Sequence, residues 1–300
     1  MGDAIHILIT GGAGQLGQEL ARLDWPADTV LHAPARAELD LGDVASVRAA
    51  FETRSFAAVI NCGAYTAVDR AETEVAAAFA ANALGPAILA ELTRETGAPL
   101  IQLSTDYVFD GSANKPYVED DELGPLNVYG ASKLAGELAV RAGNPRSVVL
   151  RTAWVLSAHG ANFLKTMLRL AADRPVLSVV DDQHGCPTSA RDIASVLKAV
   201  TLRMIAEDDA PAGTYHFVNT GETTWAGLAR EIFANSTAHG GVSAQVDGIA
   251  TVDYSTPARR PANSRLSTEK LTRDYGITPR DWRLAVADIV AEYCAGRTVA

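Results

Sequence analysis

The sequence predicts an α/β fold, in which a doubly wound, mostly parallel sheet is followed by a smaller C-terminal α/β domain. Short apolar runs rich in β-branched residues recur in the first half of the chain, separated by amphipathic segments of helical period. Nearly continuous apolar strands are typical of parallel sheets that helices cover on both faces. A glycine-rich turn directly after the first run joins a strand to a helix.

The composition is that of a globular protein with an acidic balance. The chain has 300 residues, of which 48% are hydrophobic and 21% charged, and its formal net charge is −10. This length accommodates one large or two modest domains. We expect neither nucleic acid nor a membrane as a partner, because anionic surfaces of that kind bind basic proteins.

Cysteine usage and hydropathy predict a cytoplasmic location. Cys62, Cys186 and Cys294 lack metal-ligand spacing and are odd in number, so we expect reduced thiols. The N-terminal run 5–9 is too short for a signal peptide. Inspection of the sequence finds no apolar stretch of about 20 residues, the length needed to span a membrane.

The first strand-turn-helix unit has the pattern of a dinucleotide site. Ile5–Thr10 is an apolar strand that leads through the glycine turn into the amphipathic segment Gln18–Leu23. Glycines permit a tight turn and a close backbone approach, and the helix N-terminus offers amide donors to a pyrophosphate. The alternative is a purely structural turn. We predict a Rossmann-type site with cofactor contacts from Gly11, Gly14, Gln15, Leu16 and Gly17.

The next unit indicates which cofactor is used. The strand Thr29–Ala33 is followed by Arg36 and by no acidic residue at its end. An acidic side chain there would bind the ribose of NAD, whereas arginine accommodates the additional phosphate of NADP. We therefore predict NADPH, with NADH as the second option and a solvated Arg36 as the alternative interpretation. Asp40 and Leu41 are expected to border the adenine pocket.

Two further predicted strands, Ala57–Cys62 and Pro99–Leu103, end in candidate site residues. Open parallel sheets bind ligands at the carboxyl ends of their strands. A hydroxyl at such an end is placed to hold a carbonyl substrate, although it is also typical of a turn cap. The residues that the pattern brings to these ends are Cys62, Gly63, Ala64 and Tyr65 after one strand, and Thr105 and Asp106 after the other.

Tyr129 and Lys133 form a candidate acid pair. They are four residues apart, which is one turn of the helix that the apolar repeat of residues 134–140 predicts. A free phenol has a pKa of about 10, and a nearby ammonium favours the phenolate and lowers that pKa. The alternative is a half-buried tyrosine beside a solvated lysine, because this spacing is common by chance.

The second half of the chain is expected to bind the substrate. We assign residues 1–157 to a dinucleotide-binding domain and residues 158–300 mainly to a substrate domain, with a strand near 213–219 returning to the first sheet. Residues 237–248 predict a mobile loop, because they are rich in glycine, serine and alanine. Arg259, Arg260 and Arg265 lie close together, and guanidinium groups bind phosphate bidentately. The alternative for these arginines is a solvated charged face.

Motifs spread in order over the chain resemble those of one enzyme family. The glycine turn, Asn61–Ala64, Ser104–Asp106 and the pair Tyr129 and Lys133 resemble the extended short-chain dehydrogenase/reductase family. Within that family the chain is most similar to the dTDP-4-dehydrorhamnose reductases. The segments that carry this closer resemblance are GQLG (14–17), NCGAYTAVDRAE (61–72), STDYVFDG (104–111), YGASKLAGE (129–137), LRTAWV (150–155), NFLKTML (162–168), DQHGCPT (182–188), GTYH (213–216) and RPANSRL (260–266).

The resemblance implies a reaction and a role for individual residues. The implied reaction is the NADPH-dependent reduction of the C4 keto group of dTDP-4-dehydro-L-rhamnose to dTDP-L-rhamnose, for cell-surface polysaccharide. Tyr129 would be the catalytic acid, Lys133 would orient it and bind the nicotinamide ribose, and Thr105 would bond the reacting oxygen. The residues implied in substrate binding are Thr105, Asp106, Trp154, Asn162, Arg260 and Asn263.

Two other functions stay open. A sibling reductase would act on another dTDP-4-keto-6-deoxy sugar with different C4 stereochemistry, and no side chain in the sequence decides against it. A non-catalytic NADP-binding regulatory subunit would share the fold, although it would not need to retain Thr105, Tyr129 and Lys133.

The resemblance also raises the question of a metal site. Some members of the group are described as metal-linked dimers that use acidic residues near the first helix and near the PT-x-A segment. Glu19 is the candidate ligand here, but Arg191 stands where a second acid is expected. We therefore assign no metal, leave a bridging Mg²⁺ open, and expect a monomer or a weak homodimer.

Overall fold

Strands and helices alternate along the computed structural model, which describes residues 4–298. The apolar runs of the first half form strands, as their β-branched composition predicts. The strands are β1 (Ile5–Thr10), β2 (Thr29–His32), β3 (Ala58–Asn61), β4 (Leu100–Thr105), β5 (Ser147–Thr152), β6 (Val155–Leu156), β7 (Val176–Val180), β8 (His184–Gly185), β9 (Thr188–Ser189), β10 (Gly213–His216), β11 (Thr223–Thr224), β12 (Gln245–Ile249) and β13 (Asn263–Ser264).

The amphipathic segments between the strands form helices. Asp43 caps one of them, because its carboxylate accepts a hydrogen bond from the backbone amide of Ala45 over 2.9 Å. A π-helical turn, Ala80–Leu84, interrupts the long helical run after β3. The helices are α1 (Gln15–Ala21), α2 (Val44–Glu52), α3 (Val68–Ala71), α4 (Val75–Phe79), α5 (Gly85–Thr96), α6 (Val128–Gly143), α7 (Phe163–Ala171), α8 (Ala190–Ala206), α9 (Trp225–Ala238), α10 (Glu269–Tyr275) and α11 (Trp282–Thr298).

The central sheet has six parallel strands in the order β10-β5-β4-β3-β1-β2. The strand order reverses at β1, which lies between β2 and β3. Such a switch point leaves a crevice at the carboxyl ends of the strands, where open α/β sheets bind ligands. Strand β10 returns from the second half of the chain to the edge beside β5, where Tyr215 pairs with Leu150.

Alternate side chains of the central sheet fill two apolar layers. On β1, Ile7 and Ile9 belong to the layer that contains Leu197 of α8, while Leu8 belongs to the layer that contains Leu89 of α5. All five side chains are at most 1% exposed. Because successive residues of a strand point to opposite faces, continuous apolar strands require helices on both sides of the sheet.

A third apolar layer lies in the second half of the chain, where Leu168 of α7, Phe233 of α9 and Val290 of α11 are buried together. Strand β12 pairs in parallel with β7 at the border of this layer. The expectation of a mobile loop over residues 237–248 is therefore wrong for its first two residues, which end α9, and for its last four, which form β12. Val246 packs against the layer, and this burial outweighs the loop propensity of the polar and glycine residues beside it.

The helical run 75–96 is long and apolar enough, by length and composition, to cross a membrane, a feature that inspection of the sequence missed. In the structure, Ile88, Leu89 and Leu92 of this run are buried in the layer beneath the sheet. The run also packs along α6 and α2. Core packing accounts for the buried part of its apolar composition, while Val75, Phe79 and Leu84 of the same run are exposed.

Candidate active site

The turn after β1 approaches the turn after β3 more closely than a side chain would allow. Gly11 has φ +69°, and a Cβ added to it would lie 2.7 Å from the Cα of Gly63. A Cβ added to Gly17 would lie 2.5 Å from the carbonyl oxygen of Gly11. Helix α1 begins at this turn with Gly14 as its N-cap, so no side chain caps its first-turn amides. The turn therefore fits a pyrophosphate bound by backbone amides.

Buried polar side chains tie together the carboxyl ends of β1 and β3 and the middle of β4. Thr10 donates to Asn61, whose Nδ2 donates to Oε1 of Gln102 over 2.7 Å. The hydroxyl of Thr10 also accepts from the backbone amide of Gly63 over 3.2 Å. Because all three side chains are buried and hydrogen-bonded, the network holds the three strands at a defined spacing beside the turns after β1 and β3.

A cavity of about 630 Å³ lies across these strand ends. Its volume is within the range of small-molecule sites. The predicted site residues that line it are Gly11, Gly14, Gln15, Leu16, Gly17, Arg36, Cys62, Gly63, Ala64, Thr105, Asp106, Tyr129, Lys133, Trp154 and Asn162.

Helix α6 carries both members of the predicted acid pair into the cavity. Its N-cap, Asn127, accepts from the backbone amide of Gly130 over 2.8 Å. A side chain at Gly130 is excluded, because an added Cβ would lie 2.2 Å from the carbonyl oxygen of Tyr107. The Tyr129 ring packs edge-to-face on the Tyr107 ring, with centroids 5.5 Å apart. Close contact between α6 and the turn after β4 therefore sets the position of Tyr129.

The phenol of Tyr129 is protonated at neutral pH. Burial raises its pKa to about 12; a hydrogen bond with the Thr105 hydroxyl acts in the opposite direction, and the charge of Asp106 adds to the rise. The expectation that Lys133 lowers this pKa is wrong for this structure. The Lys133 amine donates instead to the carbonyl oxygen of Leu103 over 2.7 Å. A protonated phenol at this position is a proton donor.

A buried ion pair lies one helical turn beyond Lys133 on α6. Burial lowers the pKa of its amine to about 8, while the carboxylate of Glu137, one helical turn further along α6, acts against this shift. Glu137 is itself paired with Arg151 of β5 over 2.7 Å, and both side chains are 2% exposed. Arg151 balances the charge of Glu137, so this carboxylate offsets only part of the effect of burial on Lys133.

Polar groups at the ends of β4 and β5 face the cavity beside the acid pair. The Thr105 hydroxyl donates to Oδ1 of Asp106 over 3.0 Å, and burial raises the pKa of the Asp106 carboxyl to about 6. Among residues 4–298, the buried oxygens without a hydrogen-bond partner include Oδ2 of Asp106 and the hydroxyls of Ser104 and Thr152. Unpaired buried oxygens are rare, and here they fit a ligand rich in hydroxyl or amide groups.

Three predicted cofactor residues do not line the cavity, namely Asp40, Leu41 and Tyr65. Asp40 accepts from a backbone amide in its own turn over 2.9 Å. Leu41 lies directly behind Gly63, where an added Cβ would meet its side chain at 2.6 Å. The Tyr65 hydroxyl donates to Glu74 over 2.6 Å. These residues support the cavity wall, and their contacts with a cofactor stay predictions.

Two predicted substrate residues also lie outside the lining. Arg260 donates to both carboxylate oxygens of Asp69, over 3.1 and 2.9 Å. The side-chain amide of Asn263 donates to the backbone carbonyls of Ala113 and Lys115, over 2.9 and 2.8 Å. Both side chains therefore have protein partners, and their contacts with a substrate stay predictions.

Known proteins of one family match nearly the whole chain. The family described as "RmlD substrate binding domain" matches residues 5–295. The dTDP-4-dehydrorhamnose reductase of Sinorhizobium fredii is 42% identical over 287 residues, which cover 95% of this chain and 97% of that protein. The chain belongs to the dTDP-4-dehydrorhamnose reductase family. The resemblance drawn from the sequence motifs is thereby confirmed.

Crystal structures of dTDP-4-dehydrorhamnose reductases share the fold. The structure from Clostridium acetobutylicum is 37% identical, with a TM-score of 0.89 over 96% of this chain and 99% of that chain. The structure from Bacillus anthracis, in complex with NADP, is 32% identical, with a TM-score of 0.89 over the same shares. The predicted α/β fold with a parallel sheet is confirmed.

Asn82 connects the cofactor side of the cavity to the acid pair in this member of the dTDP-4-dehydrorhamnose reductase family. The sequence did not predict this role. Its side chain accepts from the backbone amide of Tyr65 over 2.8 Å and donates to the Ser132 hydroxyl over 2.9 Å. Ser132 donates in turn to the carbonyl oxygen of Tyr129 over 2.8 Å. The feature of the sequence that could have indicated this role is a single asparagine in the otherwise apolar run 75–84. In the structure this asparagine lies in a π-helical turn.

Three aromatic residues also line the cavity of this dTDP-4-dehydrorhamnose reductase family member without having been predicted as site residues, Tyr107, Phe163 and Trp225. Tyr107 lies in a matched motif but carries no local chemical signal in the sequence. Trp225 begins an amphipathic helix, where sequence periodicity alone does not distinguish a core residue from a site residue.

The candidate metal ligand Glu19 lies beside His159 and Glu292, and one ligand atom from each of the three falls within 4.8 Å of the others. The guanidinium of Arg22 donates to Glu292 over 2.9 Å and also contacts His159. The Ser157 hydroxyl donates to Glu19 over 3.1 Å. Arg22 already supplies positive charge to this group, and we assign no metal to it.

Proposed function

We propose that the chain reduces the C4 keto group of dTDP-4-dehydro-L-rhamnose with NADPH, which yields dTDP-L-rhamnose for cell-surface polysaccharide. One observation carries this proposal. The Tyr129 phenol and the Thr105 hydroxyl line the same cavity, which Lys133 and the glycine turn also line. Relatives named for this reaction align over nearly the full chain, and this kinship supports the same chemistry.

The proposed chemistry divides between the cofactor and three side chains. NADPH, when bound, supplies the hydride that attacks the carbonyl carbon. The Thr105 hydroxyl turns away from Asp106 and donates its hydrogen bond to the carbonyl oxygen as negative charge develops there, and Tyr129 delivers the proton. Lys133 orients Tyr129 and binds the nicotinamide ribose. The high pKa of Tyr129 suits this role, because the phenol stays protonated until the oxyanion forms.

We assign the cofactor to the glycine turn and to the loops that face it. The Arg36 side chain is 80% exposed, and its ion pair with Asp40 is long, at 3.3 Å, so the guanidinium can turn to the 2′-phosphate that distinguishes NADPH from NADH. The NADP complex of the Bacillus anthracis relative supports this preference. The proposed cofactor residues are Gly11, Gly14, Gln15, Leu16, Gly17, Arg36, Asp40, Leu41, Cys62, Gly63, Ala64, Tyr65, Tyr129 and Lys133.

We assign the substrate to the side of the cavity that the second half of the chain lines. Asp106 accepts hydrogen bonds from sugar hydroxyls through its unpaired oxygen, and Trp154 and Asn162 contact the nucleotide-sugar. Arg260 and Asn263 are assigned to the diphosphate end. Arg260 then exchanges the carboxylate of Asp69 for phosphate oxygens when the substrate binds.

The domain division, location and assembly follow the same proposal. Residues 1–157 form the dinucleotide-binding domain, and residues 158–300 mainly the substrate domain. We propose a cytoplasmic enzyme that is a monomer or a weak homodimer whose assembly does not depend on a bridging Mg²⁺. Light scattering with and without a chelator checks the last point. A stable dimer that the chelator dissociates would refute it.

An assay of NADPH oxidation tests the reaction. The protein is supplied with dTDP-4-keto-6-deoxyglucose, with and without the 3,5-epimerase, and the product is identified by NMR. We expect oxidation that depends on the epimerase and yields dTDP-L-rhamnose. Oxidation without the epimerase would identify a sibling reductase. Binding of NADPH with no oxidation of any dTDP-4-keto sugar would identify a regulatory subunit.

A further inference from the structure

Trp154 has a backbone conformation that side chains rarely adopt. Among residues 4–298, it is the one non-glycine residue with positive φ, at +48°. A bulky residue in this region is strained, and it persists only where its surroundings hold it. Trp154 lies two residues after the end of β5 and lines the cavity. The strain therefore lies at the site itself.

Two neighbours hold the Trp154 indole. The Trp225 indole stacks on it, with centroids 3.6 Å apart and planes inclined by 13°. Gly185 contacts the same ring so closely that an added Cβ would lie 2.4 Å from its Cε2 atom. The Trp154 ring therefore packs against the Trp225 indole and against the backbone of Gly185, where a side chain would leave no room for the ring.

Trp225 is itself well anchored. Its indole Nε1 donates to the side-chain oxygen of Gln183 over 3.1 Å. The Phe163 ring lies against it, with centroids 4.7 Å apart. Thr224, the N-cap of α9, accepts from the backbone amide of Gly227 over 3.0 Å and so fixes the start of the helix. Trp225 therefore forms a rigid support on which Trp154 rests.

The stacked indoles face the reacting end of the cavity. Thr152 of β5 is the register partner of Thr105 of β4, and Trp154 is only two residues further along the chain. Neighbouring strands are about 4.8 Å apart. A sugar ring whose carbonyl contacts Thr105 therefore lies close to the Trp154 indole, which lines the same cavity.

We propose that Trp225 is a positioning residue for the sugar ring. By stacking on Trp154 against Gly185, it holds the Trp154 indole in its strained conformation, and the indole then holds the sugar in register with Thr105 and Tyr129. The inference rests on the proposed function. It adds a residue that touches the reaction only through Trp154 and that no sequence motif singled out.

Kinetics of substituted enzymes test the proposal. Trp225→Ala should raise the KM for the nucleotide-sugar about ten-fold, the equivalent of one lost aromatic contact, and leave the KM for NADPH unchanged. Trp225→Phe should restore most of the affinity. Gly185→Ala should displace the Trp154 ring and reproduce the Trp225→Ala effect. The matched control is Gly296→Ala, since an added Cβ there would meet nothing within 4 Å.

A second readout does not depend on turnover. Stacked indoles give a coupled near-ultraviolet circular dichroism signal, which Trp225→Phe should abolish and Trp25→Phe, away from the cavity, should keep. Binding of dTDP-L-rhamnose without NADPH is then followed by tryptophan fluorescence. If the wild type binds this sugar but reduces no keto-sugar, the proposed function fails while weaker binding by Gly185→Ala still supports the positioning role.

Two outcomes would overturn the positioning role. The first is an unchanged affinity for the nucleotide-sugar in Gly185→Ala and Trp225→Phe after the coupled signal is lost. The second is an equal rise in the KM for NADPH and for the nucleotide-sugar in all variants, which indicates a general structural defect. If Trp225→Ala does not fold, the Trp225→Phe and Gly185→Ala variants decide the question.

Discussion

Lys133 donates to the carbonyl oxygen of Leu103 over 2.7 Å, from a side chain that is only 4% exposed. This contact holds the amine one helical turn from Tyr129. Burial lowers the pKa of Lys133 to about 8 and raises the pKa of Tyr129 to about 12. The lysine therefore loses its proton well before the tyrosine does, and both groups are neutral in the interval between these values.

The two shifts predict a specific pH dependence. We expect kcat/KM for the nucleotide-sugar to fall as the pH rises through about 8, because Lys133 loses its charge there. We also expect a fall as the pH drops through about 6, because the Asp106 carboxyl becomes protonated. A pH profile of kcat/KM measures both limbs. Asp106→Asn should remove the acid limb alone, and a profile flat from pH 7 to about 10 would contradict the assignment of Lys133.

Tyr129→Phe should lower kcat by at least about 100-fold, the usual contribution of a positioned proton donor. The affinity for NADPH should be largely kept, because the ring and its packing on Tyr107 remain. Stopped-flow kinetics and fluorescence titration measure the two quantities. Tyr215→Phe is the control, since it removes a phenol on β10 that hydrogen-bonds Asp274 away from the cavity. Near-normal turnover by Tyr129→Phe would reject the proposed proton donor.

Arg36→Ala should lower the ratio of kcat/KM for NADPH to that for NADH by about 10- to 100-fold, the range expected for lost charge-assisted hydrogen bonds to phosphate. The physical reason is that Arg36 lines the cavity and follows β2. Arg54→Ala is the matched control, because Arg54 contacts His32 and does not line this cavity. An unchanged ratio would exclude Arg36 as the selector.

Substitutions of Asp69 and Arg260 distinguish two roles of the arginine, which are binding of the diphosphate and attachment of α3 to the segment before β13. Arg260→Ala should raise the KM for the nucleotide-sugar about ten-fold if the guanidinium binds the diphosphate. Asp69→Asn then should not raise the KM, because it frees Arg260 from its bidentate partner. Steady-state kinetics with both variants decide the matter. An equal rise in both would mean that the pair only fastens α3 to the segment before β13.

Glu137→Ala should lower the free energy of unfolding by about 3 to 5 kcal/mol, because it leaves the charge of Arg151 buried and unpaired. Denaturant unfolding at neutral pH measures the change. Glu91→Ala breaks the exposed pair with Arg48 and should have little effect, since solvent screens such pairs. Similar effects of the two variants would show that the Glu137–Arg151 pair does not contribute through its burial.

Much of the cofactor side could be predicted from local patterns. The glycine turn, the end of β3 and the acid pair all line the predicted cavity, because each depends on a few neighbouring residues and on the rule that parallel strands bind ligands at their carboxyl ends. The substrate side was less predictable. Trp225 reaches Trp154 across 71 positions of the chain, and Asn82 reaches Ser132 across 50, and no periodicity encodes such pairs.

The sequence by itself determined the chemical groups of this protein and their local spacing, such as the single helical turn between Tyr129 and Lys133. Only the tertiary structure decided how these groups ionise and which partners they take. Burial reverses the expected shift of the Tyr129 pKa, and Asp69 occupies Arg260, which the sequence left free for phosphate. Spacing along a helix is a property of neighbouring residues, whereas desolvation and ion pairing depend on segments that folding brings together.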